Sequence, residues 1–181
     1  MMAEFRKFAG NKILDWLLMH PTTPVSINEL ARILSVSPAT VLRYVNLLEN
    51  NGLVFRKPAG TAHQIFLNQD SPLVLPLKKS AALLRLWDAG IRKIAPAAIS
   101  VAVYGSIASG AFDEKSDLDL LILGEEPDVD RAQVIALQEE MERQVQLTVL
   151  PWHQFETLKG NHDPFLKSVL ANHVLIHGVP L

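Results

Sequence analysis

The hydrophobic positions of this chain change their period near its middle. In the first half they recur every three or four residues. "NKILDWLLMHP" sets Ile13, Leu14, Leu17 and Leu18 at helical spacing, with Pro21 as the stop. "SINELARILSV" directs Ile27, Leu30, Ile33 and Leu34 toward a core, and Ser26 with Glu29 has the pattern of a capping box. "SPATVLRYVNLLENNG" opens on Ser37 as N-cap with Pro38 at the first helical position, buries Val41, Val45 and Leu48, and ends at Gly52. About three residues join these two capped helices, the spacing of a helix-turn-helix. After Gly52, "LVFRK" and "HQIFLN" read as two strands around "PAGT". A hairpin placed after the third helix predicts a wing.

"SPLVLPLKKSAALLRLWDAGIRKI" then predicts a helix reaching about Ile94, with Leu77, Ala81, Leu84 and Trp87 near one face, as a domain link or part of a dimer seam. From Ile99 the pattern turns to short β-branched apolar runs alternating with helices. "ISVAVYG", "LDLLIL" and "QLTVL" read as strands, and "VLIHG" as a last edge strand. "RAQVIALQEEMERQV" reads as a helix with Val134, Leu137, Met141 and Val145 inward, and "DPFLKSVLAN" as a closing helix that packs Phe165, Leu166, Val169 and Leu170. The predicted class is mixed, α+β to α/β: a winged helix in residues 1–70, a connecting helix in 71–95, and a small mixed sheet flanked by helices in 96–181.

Composition adds little to the fold and something to the partners. Apolar residues make up 49% and charged ones 20% of the 181, an ordinary globular balance. The net charge of -2 hides an asymmetry: residues 1–70 hold seven Lys/Arg against five Asp/Glu, and residues 71–181 hold ten against fourteen. A basic front half and an acidic back half suggest a division of labour. No apolar run approaches the ~20 residues of a membrane span. The start, with Glu4, Arg6 and Lys7, lacks a signal-peptide pattern, so the expectation is a cytoplasmic protein with no membrane partner. The lack of cysteine excludes disulfides, thiolate zinc sites and a cysteine nucleophile.

Two stretches carry candidate chemistry. On the third helix Ser37, Thr40, Arg43, Tyr44 and Asn46 are expected to face outward, with Arg56 and Lys57 on the wing. Arginine suits guanine edges or phosphate, and threonine and asparagine suit bases. The same residues would also serve as an ordinary solvated face. The second stretch is "GSIASGAFDEKSDLDLLIL", Gly105 to Leu123. Side chains two apart on a strand face one way, so Asp117 and Asp119 project together while Leu118 and Leu120 enter the core. Paired carboxylates repel unless a cation lies between them, and magnesium is commonly held by one or two carboxylates plus substrate phosphates. A glycine-serine turn ahead of a helical turn offers N–H groups and a hydroxyl to a phosphate. The histidines are weaker candidates. His173 and His177 are four apart on a strand, no ready zinc pair, His153 starts a helix, and His162 with Asp163 lies in a polar turn.

The front segment, roughly residues 10–68, resembles the winged-helix domains of bacterial and archaeal transcription regulators. That resemblance implies duplex DNA as partner, often through a homodimer, although such modules also serve dimerisation alone. "YGS…SDLDLL" resembles the signature of the polymerase-β-like nucleotidyltransferases, especially the minimal ones. This second resemblance implies a nucleotidyltransferase fold in the back half, with Gly105 and Ser106 on the triphosphate of ATP or another NTP. It also implies Asp117 and Asp119 as catalytic ligands of Mg²⁺ or Mn²⁺. Minimal members often modify a toxin-like protein partner, so an antitoxin-like role is a further implication. The active family places a third carboxylate on the next strand. Here the matching position is Gln146, and no Asp or Glu occurs between Arg143 and Phe155. The expected role is a DNA-binding regulator with a nucleotide site, and the alternative is an active enzyme that transfers NMP to a hydroxyl.

Overall fold

The computed structural model describes residues 7–60 and 62–181, the side chain of Ala62 excepted. Glu4, Arg6 and Thr61, which entered the reading of the amino terminus and of the wing turn, lie outside the described residues. The chain forms two compact units, one through Ala81 and one from Ala82. No described helix is long and apolar enough to cross a membrane.

In the first unit, α1 (Ala9–Met19), α2 (Ile27–Leu34) and α3 (Pro38–Asn50) precede β2 (Val54–Ala59) and β3 (Ala62–Leu67). A two-residue strand β1 (Val25–Ser26) pairs with β3, giving an antiparallel sheet in the order β1-β3-β2. The caps form where the sequence places them. Ser26 Oγ accepts from Glu29 N at 3.2 Å and Ser37 Oγ from Thr40 N at 3.1 Å, each satisfying an amide that the first turn leaves without a partner. Ile13, Leu17, Leu30, Val41, Val45 and Ile65 are buried. Ile33 is exposed instead of entering the core, because the buried stripe of α2 runs through Leu30 and Ala31.

The division between the units falls inside α4 (Val74–Asp88). Its buried positions are Val74, Lys78, Ala81, Ala82 and Leu86. Trp87, expected on the inner face, stands one position round the helix from Leu86 and is exposed, with the Arg92 guanidinium 5.2 Å from its ring centroid.

The second unit is built on a four-stranded sheet in the order β6-β5-β4-β7. These are β4 (Ser100–Tyr104), β5 (Leu118–Leu123), β6 (Val145–Leu150) and β7 (His173–Gly178). β4 runs antiparallel to β5 and β7, and β5 runs parallel to β6. The short helix α5 (Gly105–Ser109) follows β4, α6 (Arg131–Met141) carries the chain from β5 to β6, and α7 (Trp152–Gly160) with α8 (Pro164–Ala171) leads to β7. Every residue of central β5 is buried except Asp119, as a strand covered on both faces requires. Leu121 and Leu123 pack with Leu150, Phe155, Leu166 and Val169, so α7 and α8 cover the sheet face that also carries Asp119.

Two inward assignments differ from the sequence reading. α6 stops at Met141 because Glu142 takes a left-handed φ of 52° and Arg143 N turns back to Gln138 O. Val145 is thereby released into β6. Phe165 precedes the buried pair Leu166 and Val169 on α8, is exposed, and meets the Tyr104 ring edge-on at 5.6 Å.

Candidate functional site

Four residues line up across one end of the sheet. Tyr104 closes β4, and Asp119 stands opposite it near the start of β5. Gln146 is the partner of Asp119 on β6, and His173 is the partner of Tyr104 on β7. Paired positions share a sheet face, so this row marks the end of the face that α7 and α8 cover. Tyr104 reaches from β4 to β6, where its hydroxyl lies 3.1 Å from Thr148 Oγ1. The ring therefore spans β5 and forms the apolar border of the site beside Asp119.

Gly105 makes room for that carboxylate. Its φ of 69° is left-handed, and a Cβ there would collide with Oδ2 of Asp119 and stand 3.3 Å from the carboxyl carbon. Only glycine meets both conditions. Ser106 follows within α5, half-buried, and its carbonyl accepts from Ser109 Oγ at 2.9 Å. No side chain caps this helix at Tyr104.

Asp117 lies just before β5. Its Oδ2 accepts a hydrogen bond from Gln146 Nε2 at 2.6 Å, so a neutral amide from β6 meets this carboxylate. Burial raises the Asp119 carboxyl above its usual range, and the negative charge of Asp117 adds to the shift. Burial likewise raises the Tyr104 phenol, with the Asp119 charge assisting, against the hydrogen bond with Thr148. A cation between the carboxylates would relieve their repulsion. Two acids, a carboxylate cradle that a Cβ would fill, and an amide oxygen fit one hard divalent ion better than two. No cluster of three or more acidic or histidine ligands exists among the described residues.

The loop ahead of Asp117 is tied down by local hydrogen bonds. Asp113 Oδ1 accepts from Lys115 N and Ser116 Oγ, each at 2.9 Å. The Ser116 hydroxyl bond holds the Asp113 carboxyl below its ordinary range, and the Lys115 amide reinforces it. Of the histidines, His173 Nδ1 lies 3.2 Å from the carbonyls of Val169 and Leu170 and closes α8, and His162 holds a left-handed φ of 53° on an exposed turn.

In the first unit the residues expected to face DNA separate into engaged and outward ones. Ser37 Oγ caps α3 and lies 2.8 Å from Thr40 Oγ1, so these two hydroxyls pair with each other. Tyr44 is half-buried against α1, where a Cβ on Gly10 would come 2.5 Å from its ring. Arg56 is ion-paired with Glu49 of α3, and that hydrogen bond lowers the Glu49 titration. Arg43 and Asn46 are exposed, and Lys57 is exposed with its ammonium 5.0 Å from the Phe55 ring centroid. The sequence reading passed over Leu42 and Leu47, which α3 leaves exposed at 43% and 56%. It also gave no role to Tyr104, Thr148 or Arg143. Their only signal in the chain was adjacency to the glycine-serine turn or to Gln146.

Comparison with known proteins assigns both units. Residues 89–177 match the model of the nucleotidyltransferase domain family, and residues 11–60 match a helix-turn-helix domain model. The chain joins a helix-turn-helix domain to a nucleotidyltransferase domain. The glycine-serine turn and both aspartates lie inside the nucleotidyltransferase match, and α2, α3 and all of α1 from Asn11 onward lie inside the helix-turn-helix match. Nucleotidyltransferase domains use divalent metals and nucleoside triphosphates. No curated protein matches the chain. Among solved structures it is similar to MepR, a transcription regulator of the Staphylococcus aureus multidrug efflux pump MepA. The identity is 17% over 49% of this chain and 68% of that one, with a TM-score of 0.38. That likeness is too distant to bear on function.

Proposed function

We propose that the protein is a DNA-binding regulator whose nucleotidyltransferase domain binds a magnesium-bound nucleoside triphosphate without transferring its NMP efficiently. Asp117 and Asp119 hold the cation, and Gly105 and Ser106 meet the triphosphate. Arg43, Asn46 and Lys57 of the helix-turn-helix domain face the duplex. Bound magnesium would neutralise phosphate charge as an acceptor hydroxyl attacks. That attack needs a base to take the hydroxyl proton, and the observation carrying the reading is that Gln146 donates to Asp117 at that position. A neutral amide accepts no proton, and loss of a general base costs about 10²–10⁴-fold in rate.

The test pairs binding with transfer. Calorimetry should show ATP binding in the presence of Mg²⁺ that Asp117→Ala/Asp119→Ala abolishes. With labelled ATP and cell lysate, wild-type protein should label nothing above that double variant. Gln146→Asp should raise labelling by about 10²-fold, the lower end of the effect of a general base. Labelling by the wild type that the double variant loses would make the protein a working transferase instead.

A further inference from the structure

We propose that Arg143 is a positioning residue for the cation site, acting on Asp117 through the backbone of the loop that presents it. The inference rests on the reading of Asp117 and Asp119 as cation ligands. Arg143 is 8% exposed and lies between the left-handed end of α6 and the start of β6. A buried guanidinium is costly unless its donors are engaged. Nη1 donates to the carbonyl of Asp113 and, at 2.7 Å, to that of Ser116. The guanidinium carbon stands 5.0 Å from the ring centroid of Phe112, itself 1% exposed.

These contacts converge on one short path. Arg143 grips Ser116, the residue before Asp117. Gln144 O accepts from the amide of Leu118, the residue after it, at 2.8 Å. Gln146 then meets the Asp117 carboxylate. Residues 143–146 thus hold Asp117 from both sides of its peptide and at its side chain. The Asx turn at Asp113 keeps the two carbonyls within reach of one guanidinium nitrogen. Lysine reproduces this grip poorly, because an ammonium on a flexible stem lacks the planar, delocalised group that can lie against an aromatic ring while one of its nitrogens bonds forward.

The experiment titrates Mn²⁺ into the full-length protein and follows the free-ion paramagnetic resonance signal, alongside thermal melts. Arg143→Lys and Arg143→Met should each weaken Mn²⁺ binding by about tenfold or more, the usual effect of removing a group that orients a metal ligand. Phe112→Leu, which loosens the same packing and keeps both carbonyl bonds, should lower the melting temperature and leave Mn²⁺ affinity within twofold of wild type. If Arg143→Met fails to fold, Arg143→Lys keeps the buried charge and decides by itself. Wild-type affinity in a folded Arg143 variant would overturn the positioning role and leave the cation site standing, as would an equal loss in Phe112→Leu. A wild-type protein that binds no Mn²⁺ would overturn both.

Discussion

Asp119 shows how a residue that breaks a pattern carries the argument. It is the polar interruption in an otherwise buried central strand, beside a second acid and directly across from Tyr104 on β4. Its raised titration has a definite sign. Between the ordinary carboxylate range and the raised one, the folded state binds more protons than the unfolded state, so stability falls as pH rises through that window. Above that window the penalty is fully present. Asp119→Asn should therefore melt higher than wild type in cation-free buffer at neutral pH, and the gap should close on acidification below the carboxylate range. A gap that stays constant with pH, measured by melts between acid and neutral buffers, would mean that the charge of Asp119 carries no such cost. The twin aspartates and the glycine beside them were legible in the chain because a period of two is a local property. That Gln146 faces Asp119 was legible only as a guess about the next strand, and the parallel register settles that placement.

Elements whose limits depend on local chemistry were read well, and those that depend on packing were not. α3 begins at its serine cap and Pro38, and Gly52 follows its end, because capping needs only neighbouring residues. α6 was read too long, since its stop is a left-handed glutamate that no glycine or proline announces. β7 was legible as an edge strand, and its end is set by a glycine. Gly178 has a φ of 99° and faces Ser100 on β4, whose Cα would lie 2.6 Å from an added Cβ, with the Ile99 carbonyl closer still. Backbone cannot step aside as a flexible side chain can. Gly178→Ala should cost about 2–4 kcal/mol through the combined strain and collision. Urea unfolding should show the loss as a lower midpoint, and an unchanged midpoint would mean that β7 pairs with β4 less closely than its register implies.

For the whole molecule the chain divides its charge as it divides its folds, with the basic excess in the helix-turn-helix half and the acidic excess in the nucleotidyltransferase half. Among the cationic candidates, Arg43 is exposed with its guanidinium carbon 4.9 Å from the Tyr44 ring centroid, whereas Arg56 is committed to Glu49. Arg43→Ala should weaken binding to a duplex selected from a random pool by about 1–3 kcal/mol if the side chain reads a base. Fluorescence anisotropy over a salt series would measure it, and equal affinity at every salt concentration would remove Arg43 from the interface.

The order of elements, their capped starts and the pairing of a glycine-serine turn with two aspartates followed from the chain alone, because each depends on residues within a few positions of one another. Which cationic side chains are committed to ion pairs, which residue of β6 meets the two aspartates, and how Arg143 grips the loop before Asp117 depend on strands and helices distant in sequence, and tertiary packing decided them. Hydrogen-bond partners across a sheet are chosen by register, and register is set by the whole core.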